Sequence, residues 1–283
     1  VNNDTSRMHG NVITNGCITR RCSHKSPNLG QVVAAYSPYG KECRSLFHAP
    51  YDWDQLGIDA KGLEIRTLAG YLALWDDGEY ASLVVNPEVD IHTYNQEKFG
   101  VATRDIAKRL LYAMLYGCGA AKAGTIIDPR EKNEEKLRVL GRDAIDGFLR
   151  GVPALRKLKD QVEETIATRG FLIGLDKGPL HCRSAFKGLN VLLQSAGAIL
   201  MKQVVININR NIKNNLGLEY GHDWFQMLMI HDEVQIACNP KHTEAINKEA
   251  LNAFPEAQHF FGFKCKIEGC LLYTSPSPRD LYQ

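Results

Sequence analysis

The sequence predicts an α+β chain in which a small sheet and a larger group of helices arise from different stretches. In the segment MLMIHDEVQIAC, from Met227 to Cys238, two short apolar strands flank a polar turn. A second apolar strand ends at Asp59, where a helical pattern begins. Helical periodicity is strongest in three later stretches, which are Thr103 to Gly117, Pro129 to Ala167, and Asn190 to Val205.

Composition limits the class of protein without identifying it. The 283-residue chain is 44% hydrophobic, enough for a large core in one or two domains, and its net charge is only +2, so any nucleic-acid surface has to be local. The eight cysteines contain no CxxC pair, which favours reduced thiols in an intracellular protein. Neither a signal peptide nor an apolar run of transmembrane length is evident, so we expect a soluble cytoplasmic protein with no membrane partner.

The turn of the central hairpin carries adjacent carboxylates at Asp232 and Glu233. Burying such a pair is costly unless a positive group lies beside it, and a metal ion fits that requirement. An exposed polar turn is the alternative. Asp59 also ends a buried strand, where it either caps the next helix or, together with Asp232, holds a pair of divalent cations.

A stripe of cations and aromatic rings recurs every four residues at Arg104, Lys108, Tyr112 and Tyr116. On an α-helix these positions drift by only about 40° per step, so they share a face. The stripe suits a polyphosphate on Arg and Lys with a base or sugar against a ring, and a mixed surface helix is the alternative. Thr103 is the predicted N-cap of this helix.

The remaining stretches predict peripheral elements. The Asn15-Gly16 dipeptide indicates a hairpin within residues 9–18, followed by a basic strand end at Arg20 and Arg21 that is either a solvated edge or a binding surface. A helix is expected over residues 241–254 and a last strand over residues 261–269.

These motifs occur in the order found in family A DNA polymerases, and from Arg7 to about Gly269 the chain resembles the polymerase portion of that family, the phage branch most closely. The resemblance implies the right-hand polymerase fold, with a palm of antiparallel sheet, inserted helical fingers, and a thumb that is largely missing. The segments that carry it are TRRCSH, PNLGQ, DAKGLEIR, DIHT, RDIAKRLLYAMLYG, Arg183 to Ala198, and IHDEV.

The implied domains are the first part of the palm at 1–74, the fingers at 75–182 and the second part of the palm at 183–270. We expect the chain to be a fragment whose longer parent supplies a thumb, and with it a possible site for a processivity factor. Residues 271–283, LLYTSPSPRDLYQ, are Ser/Pro-rich and are expected to be a non-native tail that cannot continue a strand.

The resemblance also implies a two-metal mechanism for phage DNA replication, in which dNMP is transferred from dNTP to a primer 3′-hydroxyl. Two Mg²⁺ ions would be held by Asp59 and Asp232, with Glu233 supporting the site and Lys108 as a catalytic proton donor to the leaving group. Tyr112 would hold Glu64 against the sugar, and Tyr116 would stack at the template side. The dNTP-binding residues would be Arg104, Lys108, Tyr112, His92 and Glu64, and the primer-template residues Arg21, Tyr116, Arg183, Asn190, Gln194 and His231.

Two other functions fit parts of this pattern. A single-subunit RNA polymerase shares the spacing of the cationic helix and the His-Asp pair, but it needs space for a 2′-hydroxyl where Glu64 stands. Glu64 and Tyr112 therefore favour DNA synthesis. A non-catalytic DNA-binding fragment is the second alternative, because loss of the thumb removes much of the grip on duplex DNA.

Overall fold

The structure is a computed structural model of the chain that describes residues 7–34, 36–50 and 52–274. It confirms the α+β class, and every strand pair in the described ranges is antiparallel. The strands are β1 (Asn11–Ile13), β2 (Ser23–Lys25), β3 (Asp54–Ala60), β4 (Phe171–Ile173), β5 (Pro179–His181), β6 (Trp224–Ile230), β7 (Glu233–Cys238) and β8 (Gly269–Thr274).

The helix that follows Thr103 begins where its predicted cap places it. Thr103 accepts a hydrogen bond from the Ile106 N–H, and the periodic stretch from Pro129 to Ala167 forms two helices that meet at Val152. The helices are α1 (Gly40–Ser45), α2 (Leu63–Asp76), α3 (Glu79–Val85), α4 (Ile91–Phe99), α5 (Arg104–Leu115), α6 (Ala120–Ile127), α7 (Glu134–Gly151), α8 (Pro153–Arg169), α9 (Gly188–Leu216) and α10 (Thr243–Phe260).

The chain divides into two compact units. The first comprises Val1–Leu63, Gly197–Gly262 and Ile267–Gln283, and the second comprises Glu64–Ala196 and Phe263–Lys266. Helix α2 lies almost wholly in the second unit, and the division falls inside the long helix α9. The limits of palm and fingers at residues 74 and 182 stay a prediction.

The first unit is built on a four-stranded sheet in the order β6-β7-β3-β8. Ile58 lies opposite Val234 and Leu56 lies opposite Ile236, and all four side chains are fully buried. Helix α10 contacts β3 and β8, and its fully buried Phe254 packs so closely on Gly269 that a β-carbon there would lie 2.5 Å from the ring. Burial of these apolar side chains is what holds the sheet and helix together.

The second unit is mainly helical, and its helices approach closely where glycines allow. A β-carbon at Gly124 of α6 would lie 1.9 Å from the Leu137 carbonyl oxygen, and one at Gly141 of α7 would lie 2.0 Å from the Ala120 oxygen. Only residues without a side chain permit such a crossing. Between α4 and α7, the rings of Phe99 and Phe148 stack with centroids 4.1 Å apart.

Three expectations at the chain ends were wrong. The strand that pairs with β1 is β2, since Val12 lies opposite His24, so Asn15-Gly16 lies in a longer connection. The last strand is β8 and not residues 261–269, because β8 completes the hydrogen bonds along the second edge of β3. The proposed tail does continue a strand as far as Thr274, and its remainder, residues 275–283, lies outside the described residues.

The expectation that no apolar run reaches transmembrane length also needs correction. The helical span Ala185–Leu216, which is α9 preceded by one 3-10 turn, is long and apolar enough to cross a membrane by length and composition alone. However, 72% of its most apolar window is buried inside the protein. The core helix of a globular protein passes the same test, because it too is apolar on most of its surface.

Candidate active site

The predicted acidic residues meet at one end of the sheet in the first unit. His231 and Asp232 form a two-residue turn between β6 and β7, with Ile230 opposite Glu233 and His231 in the left-handed region at φ 54°. Asp59 lies directly opposite Glu233, and the Ala60 N–H donates to the Asp232 carbonyl at 3.0 Å. Strand pairing therefore brings the ends of two distant segments together.

The three carboxylates have different surroundings. Glu233 is only 8% exposed and accepts a hydrogen bond from the Gln235 amide at 3.2 Å, while Asp59 and Asp232 are half-buried. No residue that the structure describes donates a hydrogen bond to the Asp232 carboxylate. No group of three or more His, Cys, Asp or Glu side chains that could hold a metal occurs in the same ranges. A pair of aspartates nevertheless fits Mg²⁺, which binds through one or two carboxylates and completes its shell with waters and substrate phosphates.

A small cationic cavity lies beside this turn. Arg21, Lys202 and His231 line it together with Cys22, Ala198 and Met229. Burial is the main cause that lowers the pKa of His231, and Arg21 lowers it further, while Asp232 opposes the shift. At neutral pH His231 is therefore an uncharged ring beside a cationic side chain.

Lys202 ties the N-terminal segment to helix α9. Its ammonium group donates to the carbonyl oxygen of Thr14, to Oδ1 of Asn15 at 2.7 Å and to the carbonyl oxygen of Arg20 at 2.6 Å. The residue after Arg20 is Arg21, so this anchor positions the predicted minor-groove side chain. Sequence reasoning missed Lys202, although a lysine within the apolar run AILMKQVV was a usable signal.

The cationic stripe of the second unit lies on α5, outside the core. Arg104 and Lys108 are exposed, Tyr112 is half-buried and Tyr116 is 47% exposed. The opposite side of the helix is apolar and buried. Its buried residues are Ala107, Leu110, Leu111 and Leu115.

His92 lies in the first turn of α4, beside this stripe, with its ring centroid 6.2 Å from that of Tyr112. Its Nδ1 atom is buried and has no hydrogen-bond partner among the described residues. Burial, then Arg104 and Lys108, lower the pKa of His92, and Asp90 acts in the opposite direction. The ring is therefore neutral at pH 7.

Glu64, at the start of α2, is linked to the end of α5. The Tyr116 hydroxyl donates to its Oε1 atom. The resemblance had assigned this role to Tyr112 and had placed Tyr116 at the template side of the new base pair. In this structure the phenol of Tyr116 is one of the groups that hold the Glu64 carboxylate.

The predicted DNA-contacting residues of the second unit precede or begin α9. Arg183 is exposed, whereas Asn190 and Gln194 are half-buried and lie one helical turn apart on the same face. Neither amide hydrogen-bonds to another residue in the described part of the chain. Their hydrogen-bonding groups therefore remain available for an external partner.

Comparison with known proteins agrees with this arrangement. Residues 1–268 match the model of DNA polymerase family A. The chain is 36% identical to the DNA-directed DNA polymerase of Enterobacteria phage T3 and 34% identical to that of Escherichia phage T7, in each case over 94% of this chain and 40% of the relative. It therefore spans less than half the length of these phage relatives.

A solved structure shows the same fold. The POL domain of Pol1 from M. smegmatis, in complex with DNA primer-template and dNTP, superposes with a TM-score of 0.78 over 97% of this chain and 48% of that chain, at 18% sequence identity. This likeness confirms the expected polymerase fold of antiparallel palm and helical fingers, and the phage relatives confirm the expected branch. The chain belongs to DNA polymerase family A.

Proposed function

We propose that this chain is the catalytic portion of a phage replicative DNA polymerase, which transfers dNMP from dNTP to the 3′-hydroxyl of a primer. The observation that carries the proposal is the meeting of Asp59 and Asp232 at one end of the sheet, in a chain of this family. Phosphoryl transfer requires positioning and charge neutralisation more than covalent chemistry. The proposed setting is the cytoplasm of the host cell.

Asp59 and Asp232 would hold two Mg²⁺ ions, which when bound activate the primer hydroxyl and neutralise the developing charge of pyrophosphate. No residue in the described ranges donates a hydrogen bond to the Asp232 carboxylate, which leaves its oxygens to coordinate an ion. Glu233 is buried and supports the turn from the neighbouring strand position.

Arg104, Lys108 and neutral His92 would bind the triphosphate. Guanidinium and ammonium groups supply charge, and the imidazole supplies a directed hydrogen bond. Lys108 is exposed on the stripe and would donate a proton to the leaving group. Asp90 is the counter-ion of Arg104 in this structure.

Glu64 would reject ribonucleotides by standing against the 2′-hydroxyl of the incoming sugar, and the phenol of Tyr116 holds its carboxylate. A site excludes an added hydroxyl only by a wall that clashes with it or leaves it unpaired. This tethered carboxylate favours DNA over RNA synthesis.

Arg21, Asn190 and Gln194 would contact the minor groove of the primer-template, where the acceptors of different base pairs nearly coincide. Such contacts test the shape of a base pair without reading its sequence. Arg183 and His231 would contact the same DNA. A processivity factor would act through a thumb region of a longer parent chain.

Primer extension with Mg²⁺, compared with a metal-free reaction, tests this function. We expect template-directed addition of dNTP that requires Mg²⁺ and is lost in Asp232→Ala, while duplex binding is retained. DNA binding without any extension by the unsubstituted chain would instead support the non-catalytic fragment. Preference for rNTP over dNTP would support the RNA polymerase alternative.

A further inference from the structure

Asp90 uses its two carboxylate oxygens for two different tasks. Oδ1 accepts hydrogen bonds from the N–H groups of His92 and Thr93, each at 2.9 Å, and so caps helix α4. Oδ2 accepts from Nε of Arg104 at 2.8 Å and lies 2.7 Å from its second guanidinium nitrogen. One side chain therefore joins the start of α4 to the start of α5.

Both connected elements carry proposed triphosphate ligands. The capped first turn of α4 contains His92, and Arg104 is the first residue of α5. The hydrogen bond from Arg104 is the main cause that lowers the pKa of Asp90 to about 2, so the carboxylate is ionised at any working pH.

Stability alone does not explain this arrangement. The Asp90 side chain is 45% exposed and that of Arg104 is 50% exposed, and ion pairs this open to water contribute little to folding. What the pair does change is the freedom of Arg104, because a long side chain tethered through two nitrogens samples few rotamers. Preorganised ligands lose less entropy on binding.

We propose that Asp90 is a positioning residue for nucleotide binding, which holds the Arg104 guanidinium and the His92-bearing turn in one geometry for the triphosphate. This inference rests on the proposed function, since it takes Arg104 and His92 as triphosphate ligands. Asp90 itself does not contact the reacting atoms.

Asp90→Ser separates the two tasks. Serine is also a good N-cap, so the cap of α4 is retained, but its side chain is too short to reach Arg104. Asn133→Ser is the matched control, because Asn133 caps α7 in the same way, through hydrogen bonds from Glu135 N–H at 3.0 Å and Lys136 N–H at 3.1 Å. Thermal unfolding should show similarly small changes in the two variants.

Steady-state kinetics with Mg²⁺ provide the main readout. We expect Asp90→Ser to raise the KM for dNTP by at least about fivefold with a smaller change in kcat, because a preorganised ligand is lost. Asn133→Ser should leave KM unchanged. In an Arg104→Ala background, Asp90→Ser should have no further effect on KM, since it acts through that guanidinium.

Three results would overturn the inference. They are an unchanged KM in Asp90→Ser, an equal rise in Asn133→Ser, and an undiminished effect of Asp90→Ser in the Arg104→Ala background. If the unsubstituted chain does not extend primers, calorimetric titration with inorganic tripolyphosphate applies the same comparison to Kd. Binding that weakens in Asp90→Ser then supports the role of Asp90 while the proposed activity fails, and absence of tripolyphosphate binding overturns both.

Discussion

Replacing Tyr116 by phenylalanine tests how the sugar is selected. The ring remains at the end of α5, but the hydroxyl that donates to Oε1 of Glu64 is removed. The Glu64 carboxylate then loses one of the groups that orient it. We expect weaker rejection of ribonucleotides with little change in the use of deoxynucleotides.

The structure sets the size of this effect. A hydrogen bond to a charged group contributes about 1.5 to 3 kcal/mol in a protected site. Tyr116 is 47% exposed, so water replaces part of the bond and about 1 kcal/mol remains, or about fivefold in the ratio of rNTP to dNTP incorporation. Glu64→Ala removes the whole wall and should change the ratio by at least about tenfold, or about 1.4 kcal/mol.

Single-nucleotide kinetics with matched dNTP, rNTP and ddNTP on one template provide the assay. Tyr112→Phe is the control on the same helix face. The Tyr112→Phe variant should leave ribonucleotide rejection comparatively intact and reduce the use of dideoxynucleotides. The reason is that the phenol of Tyr112 can replace a hydrogen bond of the missing 3′-hydroxyl, whereas a phenyl ring cannot.

Two results would refute this reasoning. If Tyr116→Phe leaves the ratio unchanged while Glu64→Ala raises it, the carboxylate acts without this tether. If Glu64→Ala excludes ribonucleotides as well as the parent does, the sugar-gate role is wrong, and with it the main reason for choosing DNA over RNA synthesis.

The remaining predictions concern the metal site, the N-terminal anchor and acid stability. Asp59→Ala or Asp232→Ala should abolish extension and spare duplex binding, because several kcal/mol of transition-state stabilisation should be lost. More than about a tenth of parental activity in either variant would contradict the two-metal assignment. Lys202→Met should weaken primer-template binding in a fluorescence titration, because it releases the segment before Arg21. The control Lys213→Met, at an exposed position on the same helix, should leave that binding unchanged. The folded-state pKa of Asp90 lies below its ordinary value of 3.8, so its contribution to stability is complete above about pH 4 and is lost as pH falls through about 2. Urea midpoints between these pH values should therefore fall more steeply for the parent than for Asp90→Asn, and parallel curves would show that the ion pair adds nothing to folding.

The sequence by itself determined the elements whose signals are local. The two apolar runs that flank the turn at His231-Asp232 predicted the hairpin, and a strand ending at Asp59 was evident from its apolar run. The extent of α5 followed from the Thr103 cap and the glycine after Tyr116, because caps and positive-φ positions act over only a few residues.

Only the tertiary structure decided which of these elements meet. Pairing of Asp59 with Glu233 and of β3 with β8 depends on register between distant segments, which no local pattern encodes.

The sequence also did not predict which side chains contact each other. Lys202 reaches a segment more than 180 residues earlier, the Tyr116 hydroxyl donates to Glu64, and Asp90 binds Arg104 across the turn between two helices. A long side chain has several partners within reach. The packing of the backbones determines which of them it contacts, so these contacts are defined only in the folded chain.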